Sequence, residues 1–259
     1  MKELAENRTS SRYYGFAVRD YLILAHLPKE KNLAVLEIGV GLASMADKLI
    51  GSVNEYCGVD IAGDLIDYLK QLYKNVSEVS WLCLDACQDS PVFDKQFDVV
   101  FSADTLEHVN NPAGFFSFIK KHLKPEGVVL LTFPNESGKK HHGLTWFVNK
   151  EELIRMVERA GLKLEVLLEV KPSGWHKFIK GVFWNFPKSL LLKNKDLPQT
   201  FSETNAFNLV RSAGLKTQLL AFYGQAITKL VIMFSPYYYE IVKDKISDKI
   251  LLIRLKHRS

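Results

Sequence analysis

Three acidic residues stand where apolar runs give out: Glu37 in "VLEIGVGLASMADKLI", Asp60 in "EYCGVDI" and Asp85 in "VSWLCLDA". Gly39 and Gly41 follow the first of them, one residue apart. Glycines so placed let the backbone approach a ligand closely. A loop built for a dinucleotide reads G-x-G-x-x-G and sets a pyrophosphate on a helix N-terminus. Here Ser44 stands in place of the third glycine, and the Glu37 carboxylate would repel a diphosphate. The same carboxylate suits an ammonium, directly or through water, or a cofactor whose amino-acid part carries positive charge. Asp60 lies 21 residues after Gly39, where a carboxylate can accept both hydroxyls of a ribose. Asp85, beside Ala86, suits the exocyclic amine and a ring nitrogen of adenine. A single acid at a strand end is ordinary turn chemistry. Three at successive strand ends point to an adenosine-bearing cofactor.

The elements that must position these residues alternate strictly. Apolar runs at 33–40, 55–61, 79–86, 97–104, 127–135 and 163–170 read as strands, and 33–40 is continuous enough to be buried on both faces of a parallel sheet. Between them, helical spacing is expected at 15–27, 43–50, 64–73, 112–124 and 150–161. Pro112 marks the first turn of one helix and Gly161 the end of another. The alternation predicts an α/β fold with a doubly wound, mostly parallel, seven-stranded sheet, closed by a last strand at 249–256. In such a sheet ligands sit at the carboxyl ends of the strands, where the winding reverses. After residue 171 the alternation stops. Trp175, Phe178, Ile179, Val182, Phe183 and Phe186 then fall on one face of an expected amphipathic helix, with Pro187 as its stop.

Of 259 residues, 47% are hydrophobic and 24% charged, which excludes wholesale disorder. The polar N-terminus predicts no signal peptide, and no long uncharged apolar run predicts a spanning helix. Cys57, Cys83 and Cys87, without a CxxC, fit buried thiols in a reducing compartment, so a cytoplasmic location is expected. Charge is uneven. Residues 1–162 hold 18 Lys+Arg against 22 Asp+Glu, a net −4, while 163–259 hold 16 against 7, a net +9. A basic last third suits an anionic partner or is simply a solvated surface.

Taken together, "VLEIGVG", "VDI", "LDA", "FDVVFSADTLEHVNNP" and "LKPEGVVLLTFPN" resemble the class I S-adenosylmethionine-dependent methyltransferases, nearest the branch acting on small molecules, quinone precursors and sugars. The likeness covers about residues 12–170. Where that family repeats E/D-x-G-x-G-x-G, Ala43 replaces the last glycine. The resemblance implies S-adenosyl-L-methionine as cofactor and a Rossmann-like core over 31–171. Within it Gly39 and Gly41 approach the methionine part, Asp60 meets the ribose, Asp85 and Ala86 the adenine, Ser102 lies near the amino-acid moiety, and Glu37 and Ile61 are further cofactor contacts. "RYYGFAVRDYL" resembles the family's covering segment, with Tyr14 and Arg19 as cofactor contacts in an N-terminal cap over 1–30. Residues 172–248 are expected as a basic, aromatic-rich helical insertion forming a substrate lid, with 249–259 returning as the final strand of the core.

Methyl transfer from a sulfonium is an in-line displacement, so alignment supplies much of the rate. An oxygen or nitrogen acceptor can also require a base, for which His108 in "DTLEHVNNP" is the candidate. His141 and His142, after the fifth strand, are candidates for the substrate pocket. No ligand spacing supports a metal. The expected partner is a small-molecule acceptor, such as a sugar, a hydrophobic metabolite or an anionic or lipid-linked molecule, with a peripheral membrane contact through 175–186 as a further reading. A binding protein that keeps the fold without catalysis, and an NAD-type oxidoreductase, are the alternatives. A nucleic-acid methyltransferase is disfavoured, because "SADTLEHV" follows the fourth strand rather than Asn/Asp-Pro-Pro-Tyr.

Overall fold

A computed structural model describes residues 14–30, 32–88, 93–135, 147, 149–179, 181–182, 237–243, 245–246 and 250–258. Each expected strand is present: β1 (Ala34–Ile38), β2 (Glu55–Asp60), β3 (Val79–Cys83), β4 (Phe97–Ala103), β5 (Leu123–Pro134) and β6 (Leu162–Pro172). The helices are α1 (Tyr14–His26), α2 (Ala46–Leu49), α3 (Gly63–Leu72), α4 (Pro112–His122), α5 (Lys150–Arg159) and α6 (Gly174–Ile179). β7 (Tyr237–Ile241) and β8 (Ile250–His257) complete the sheet, whose order is β3-β2-β1-β4-β5-β8-β6-β7. β1 to β5 pair in parallel, and β8 runs antiparallel between β5 and β6. The winding reverses between β1 and β4, where Glu37 is in register with Phe101.

Continuous apolar sequence makes this sheet the centre of the core. Six consecutive residues of β5, Gly127 and Pro134 excluded, are buried, and Leu36, Val100 and Leu131 join Phe115, Phe116 and Ile119 of α4 and Leu153 and Val157 of α5 in one cluster. The helix starts follow their side chains. Asn111 Oδ1 accepts from the Gly114 N–H at 3.0 Å ahead of Pro112, and Asn149 Oδ1 accepts from the Glu152 N–H at 2.9 Å. Gly161, at φ 76°, ends α5 in the left-handed conformation that favours glycine.

Three expectations need correction. Among the described residues the sheet has eight strands, one more than the seven expected, because β7 adds an edge strand within 172–248. Tyr237–Ile241, "YYYEI", is rich in residues that suit a pleated surface, and its aromatic spacing gives no helical stripe. The helix expected at 43–50 is a single turn, since the preceding residues are consumed by left-handed backbone at Gly39, Gly41 and Ala43. The cysteines are not uniformly buried: Cys57 is, Cys87 is half-buried and Cys83 is exposed at the end of β3. Of the amphipathic helix expected at 175–186, the described part is α6 followed by a π turn at 181–182.

The chain divides into two compact units: residues 1–21 with 171–238, and 22–170 with 239–259. The first holds 13 Lys+Arg against 5 Asp+Glu, a formal +8, and the second 21 against 24, a formal −3. In the first, Trp175 and Phe178 stack with ring centroids 5.7 Å apart, and both are exposed, as is Val182. Among the described residues no helix is long and apolar enough to cross a membrane.

Candidate cofactor and active site

Glu37 is the fourth residue of β1 and 2% exposed, between Gly58 of β2 and Phe101 of β4. A buried carboxylate is tolerated only where hydrogen bonds hold it. The Tyr56 hydroxyl donates to Glu37 Oε2. Beyond Glu37 the chain turns on two glycines. Gly39, at φ 77°, donates its N–H to Val59 O at 2.8 Å, and a Cβ there would lie 2.3 Å from Thr105 Oγ1. Gly41, at φ 48°, donates to Asp60 Oδ2 at 3.1 Å, and a Cβ there would meet nothing within 4 Å. The space beside Gly41 is therefore open to a ligand. Ala43, at the expected third glycine, adopts φ 56° while fully buried, so an alanine makes the bend that glycine makes in the resembled pattern.

Asp60 closes β2 and ties this loop to the next. Its Oδ1 accepts from the Ala62 N–H at 3.0 Å while Oδ2 holds Gly41. Each carboxylate oxygen can accept two hydrogen bonds, so capacity remains for ribose hydroxyls. Ile61 beside it is 72% exposed, an apolar surface next to a polar anchor. Asp85 Oδ1 accepts from the Cys87 N–H at 2.8 Å and Oδ2 from Gln88 Nε2 at 3.3 Å, with Ala86 buried between them. Burial, then the Asp85 carboxylate, push the Cys87 thiol up to about 11. Cys87 is thus a protonated neighbour of the adenine candidate.

At the end of β4 lies a further candidate. Ser102 is 1% exposed, and its hydroxyl donates to Ile38 O at 2.7 Å. It braces the residue before Gly39 rather than presenting a free hydroxyl. Thr105 Oγ1 donates to the same carbonyl at 3.4 Å and fills the space that Gly39 leaves. Asp104, at φ 53°, donates its N–H to Thr132 O at 3.1 Å and accepts from Thr132 Oγ1 at 2.8 Å. A non-glycine residue held left-handed beside a ligand site is stored strain. Tyr56, Thr105 and Thr132 were not legible as site residues. Only Tyr56 carries a sequence signal, a hydroxyl-bearing aromatic on the same strand face as Gly58.

His108 ends a one-turn 3-10 helix, Leu106–His108, with its side chain 48% exposed and Nε2 3.7 Å from Glu107 Oε1. That separation permits an ion pair once the imidazole is protonated and is too long for a good hydrogen bond. Arg19 is engaged by its neighbour: Nη2 and Nε lie 3.2 and 3.3 Å from Asp20 Oδ1. Tyr14 opens α1, but its side chain lies outside the described residues, as do His141 and His142 entirely. Among the described residues no group of three or more His, Cys, Asp or Glu could hold a metal ion.

Comparison with known proteins agrees with this geometry. Residues 36–131 match the family described as methyltransferase domain. A ubiquinone biosynthesis O-methyltransferase of Thiobacillus denitrificans is 26% identical over 152 residues, which cover 51% of this chain and 66% of that protein. Its counterpart from Dictyostelium discoideum, a mitochondrial enzyme, is 26% identical over 60% of this chain and 47% of its own. The chain thus spans less than two thirds of these relatives. In fold, phosphoethanolamine N-methyltransferase 2 of Haemonchus contortus, solved with S-adenosyl-L-methionine, superposes with a TM-score of 0.56 at 16% identity, over 93% of this chain and 52% of that one. The acid-and-glycine loop, the acids ending β2 and β3 and the match over residues 36–131 agree: this part of the chain is similar to methyltransferase domains and stands in a fold that such enzymes share.

Proposed function

We propose that the protein moves the methyl group of S-adenosylmethionine to an oxygen, or less readily a nitrogen, of a small-molecule acceptor. The observation that carries this is the buried Glu37 carboxylate beside the Gly39–Gly41 turn, with Asp60 tying that turn to the end of β2. Such a site favours a cation and offers no cradle for a diphosphate. Glu37 would hold the cofactor's ammonium, Gly39 and Gly41 would border the methionine part, Asp60 the ribose, and Asp85, Ala86 and Ile61 the adenine. When bound, the cofactor supplies an electrophilic methyl on a sulfonium. The names of the O-methyltransferase relatives favour a hydroxyl acceptor.

His108 is the proposed base, taking the proton from that hydroxyl as a neutral imidazole. Its half-exposed ring, on the turn after β4, leaves it open to an entering acceptor. For selection of the acceptor the sequence offers His141, His142 and the basic, aromatic-rich stretch 172–248 as candidates. Methyl-labelled S-adenosylmethionine offered with a panel of phenols and amines is the test. The expected result is label on a hydroxyl, and a fall of about 10²-fold in kcat for His108→Gln with the KM for S-adenosylmethionine unchanged. An undiminished kcat removes His108 as base. Absence of transfer to every acceptor, with cofactor binding intact, supports the non-catalytic reading.

A second observation favours a membrane as the place of work. The unit holding +8 also exposes Trp175, Phe178 and Val182, with exposed Lys177 among them. Exposed apolar side chains beside a lysine, in a unit of net positive charge, suit an anionic lipid surface. Co-sedimentation with vesicles containing phosphatidylglycerol is expected, and a Trp175→Ser/Phe178→Ser variant is expected to stay in solution. Equal pelleting of both proteins, or of neither, rules this contact out.

A further inference from the structure

Resting on the reading of Glu37 as the partner of the cofactor's ammonium, we infer that Tyr56 is a positioning residue for methyl-donor recognition. Glu37 receives a hydrogen bond from outside the cofactor loop. Its orientation is supplied from the neighbouring strand, by residues that line up on one face of the sheet.

Glu37 is in register with Gly58, Gly58 with Trp81, and Glu37 with Phe101. In-register residues of parallel strands share a face, and so does Tyr56, two residues before Gly58. The Tyr56 ring is fully buried between two aromatic neighbours, with ring centroids 5.7 Å from Trp81 and 6.5 Å from Phe101. Held there, it points along the strand towards the carboxyl end of the sheet, and its hydroxyl donates to Glu37 Oε2. Gly58 makes the arrangement possible: a Cβ there would lie 2.4 Å from Trp81 Cζ3 and 2.7 Å from Val40 Cγ1. The bare glycine lets Trp81 lie close, and Trp81 flanks the tyrosine. The phenol has one hydroxyl hydrogen to donate and the carboxylate has lone pairs to receive it. The bond therefore helps to fix the carboxylate's rotamer while it engages one lone pair of Oε2. A charge held ready in this way needs no reorientation when the ligand arrives.

The test uses two ligands that share adenosine and sulfur but differ in the amino-acid part. S-adenosylhomocysteine carries the ammonium, and 5′-methylthioadenosine does not. In Tyr56→Phe, which keeps the ring, titration calorimetry should show a loss of about tenfold in affinity for S-adenosylhomocysteine. Affinity for 5′-methylthioadenosine should stay as in the wild type. Tyr56→Met, which fills the space without a donor, should show the same selective loss. A parallel loss for both ligands in both variants would mean that Tyr56 only supports the fold, and no loss for either would mean that it does nothing for recognition. Both results overturn the inference. Glu37→Gln separates this from the reading beneath it. If that variant binds S-adenosylhomocysteine normally, the role of Glu37 falls and that of Tyr56 with it. If it binds weakly while Tyr56→Phe binds normally, only the role of Tyr56 falls.

Discussion

Asp60→Ala is expected to abolish the thermal stabilisation that S-adenosylhomocysteine gives the wild-type chain. A ligand that binds only the folded state at 100 times its dissociation constant stabilises it by about 2.7 kcal/mol, a readily measured shift in Tm. Asp60 controls this shift twice over. Its carboxylate is the only proposed contact for the ribose hydroxyls, and hydrogen bonds to a charged group contribute about 1.5–3 kcal/mol each. It also holds the loops on both sides, accepting from Gly41 at 3.1 Å and from Ala62 at 3.0 Å. Losing both functions should weaken binding by at least about 10²-fold. Asp60→Asn keeps one carbonyl acceptor and should lie between. NAD should leave the wild-type Tm unchanged, because Glu37 faces the place where a diphosphate would have to sit. A shift with NAD and none with S-adenosylhomocysteine would overturn the cofactor assignment, and a full shift in Asp60→Ala would overturn the ribose role.

The second large effect is expected at Gly39. An alanine there meets two obstacles at once. The backbone sits at φ 77°, and the new Cβ would lie 2.3 Å from Thr105 Oγ1 and 2.7 Å from its Cγ2. Backbone strain costs about 1–3 kcal/mol and overpacking about as much again. Thr105 cannot simply turn aside, since its hydroxyl is engaged with Ile38 O. Gly41→Ala makes the internal control, because its Cβ would enter open space and only the φ of 48° opposes it. Chemical denaturation should therefore place Gly39→Ala well below Gly41→Ala in stability. Thr105→Ala should recover the part of the loss due to the clash and leave the part due to backbone strain. Equal stability of the two glycine variants would show that the Thr105 contact does not matter.

The strand-end acids were readable because buried parallel strands write themselves as unbroken apolar runs, so a charge at the end of one stands out. Glu37 lies one residue before such an end, Asp60 at one and Asp85 two residues beyond one. The same continuity hides which face a residue takes. β4 is buried on both sides, so the sequence could not say that Ser102 turns inward to Ile38. The link between Tyr56 and Glu37 depends on register between strands 19 residues apart, which no local pattern encodes. Left-handed Ala43 is equally silent, because alanine does not announce a positive φ, and Asp104 only tolerates one. β7 escaped because five residues with three tyrosines fit a strand or a loop alike.

The placement of β8 has a consequence for how the chain reaches this state. β5 and β6 are not neighbours; Ile250–His257 lies between them and bonds to both. Until that strand arrives, each of the other two presents an unpaired edge, the kind of surface on which chains pair wrongly. Such long-range pairing also has to overcome loop-closure entropy before it contributes anything. The matched segment, residues 36–131, therefore holds the proposed cofactor contacts, while the strand that joins β5 to β6 is written far downstream of it.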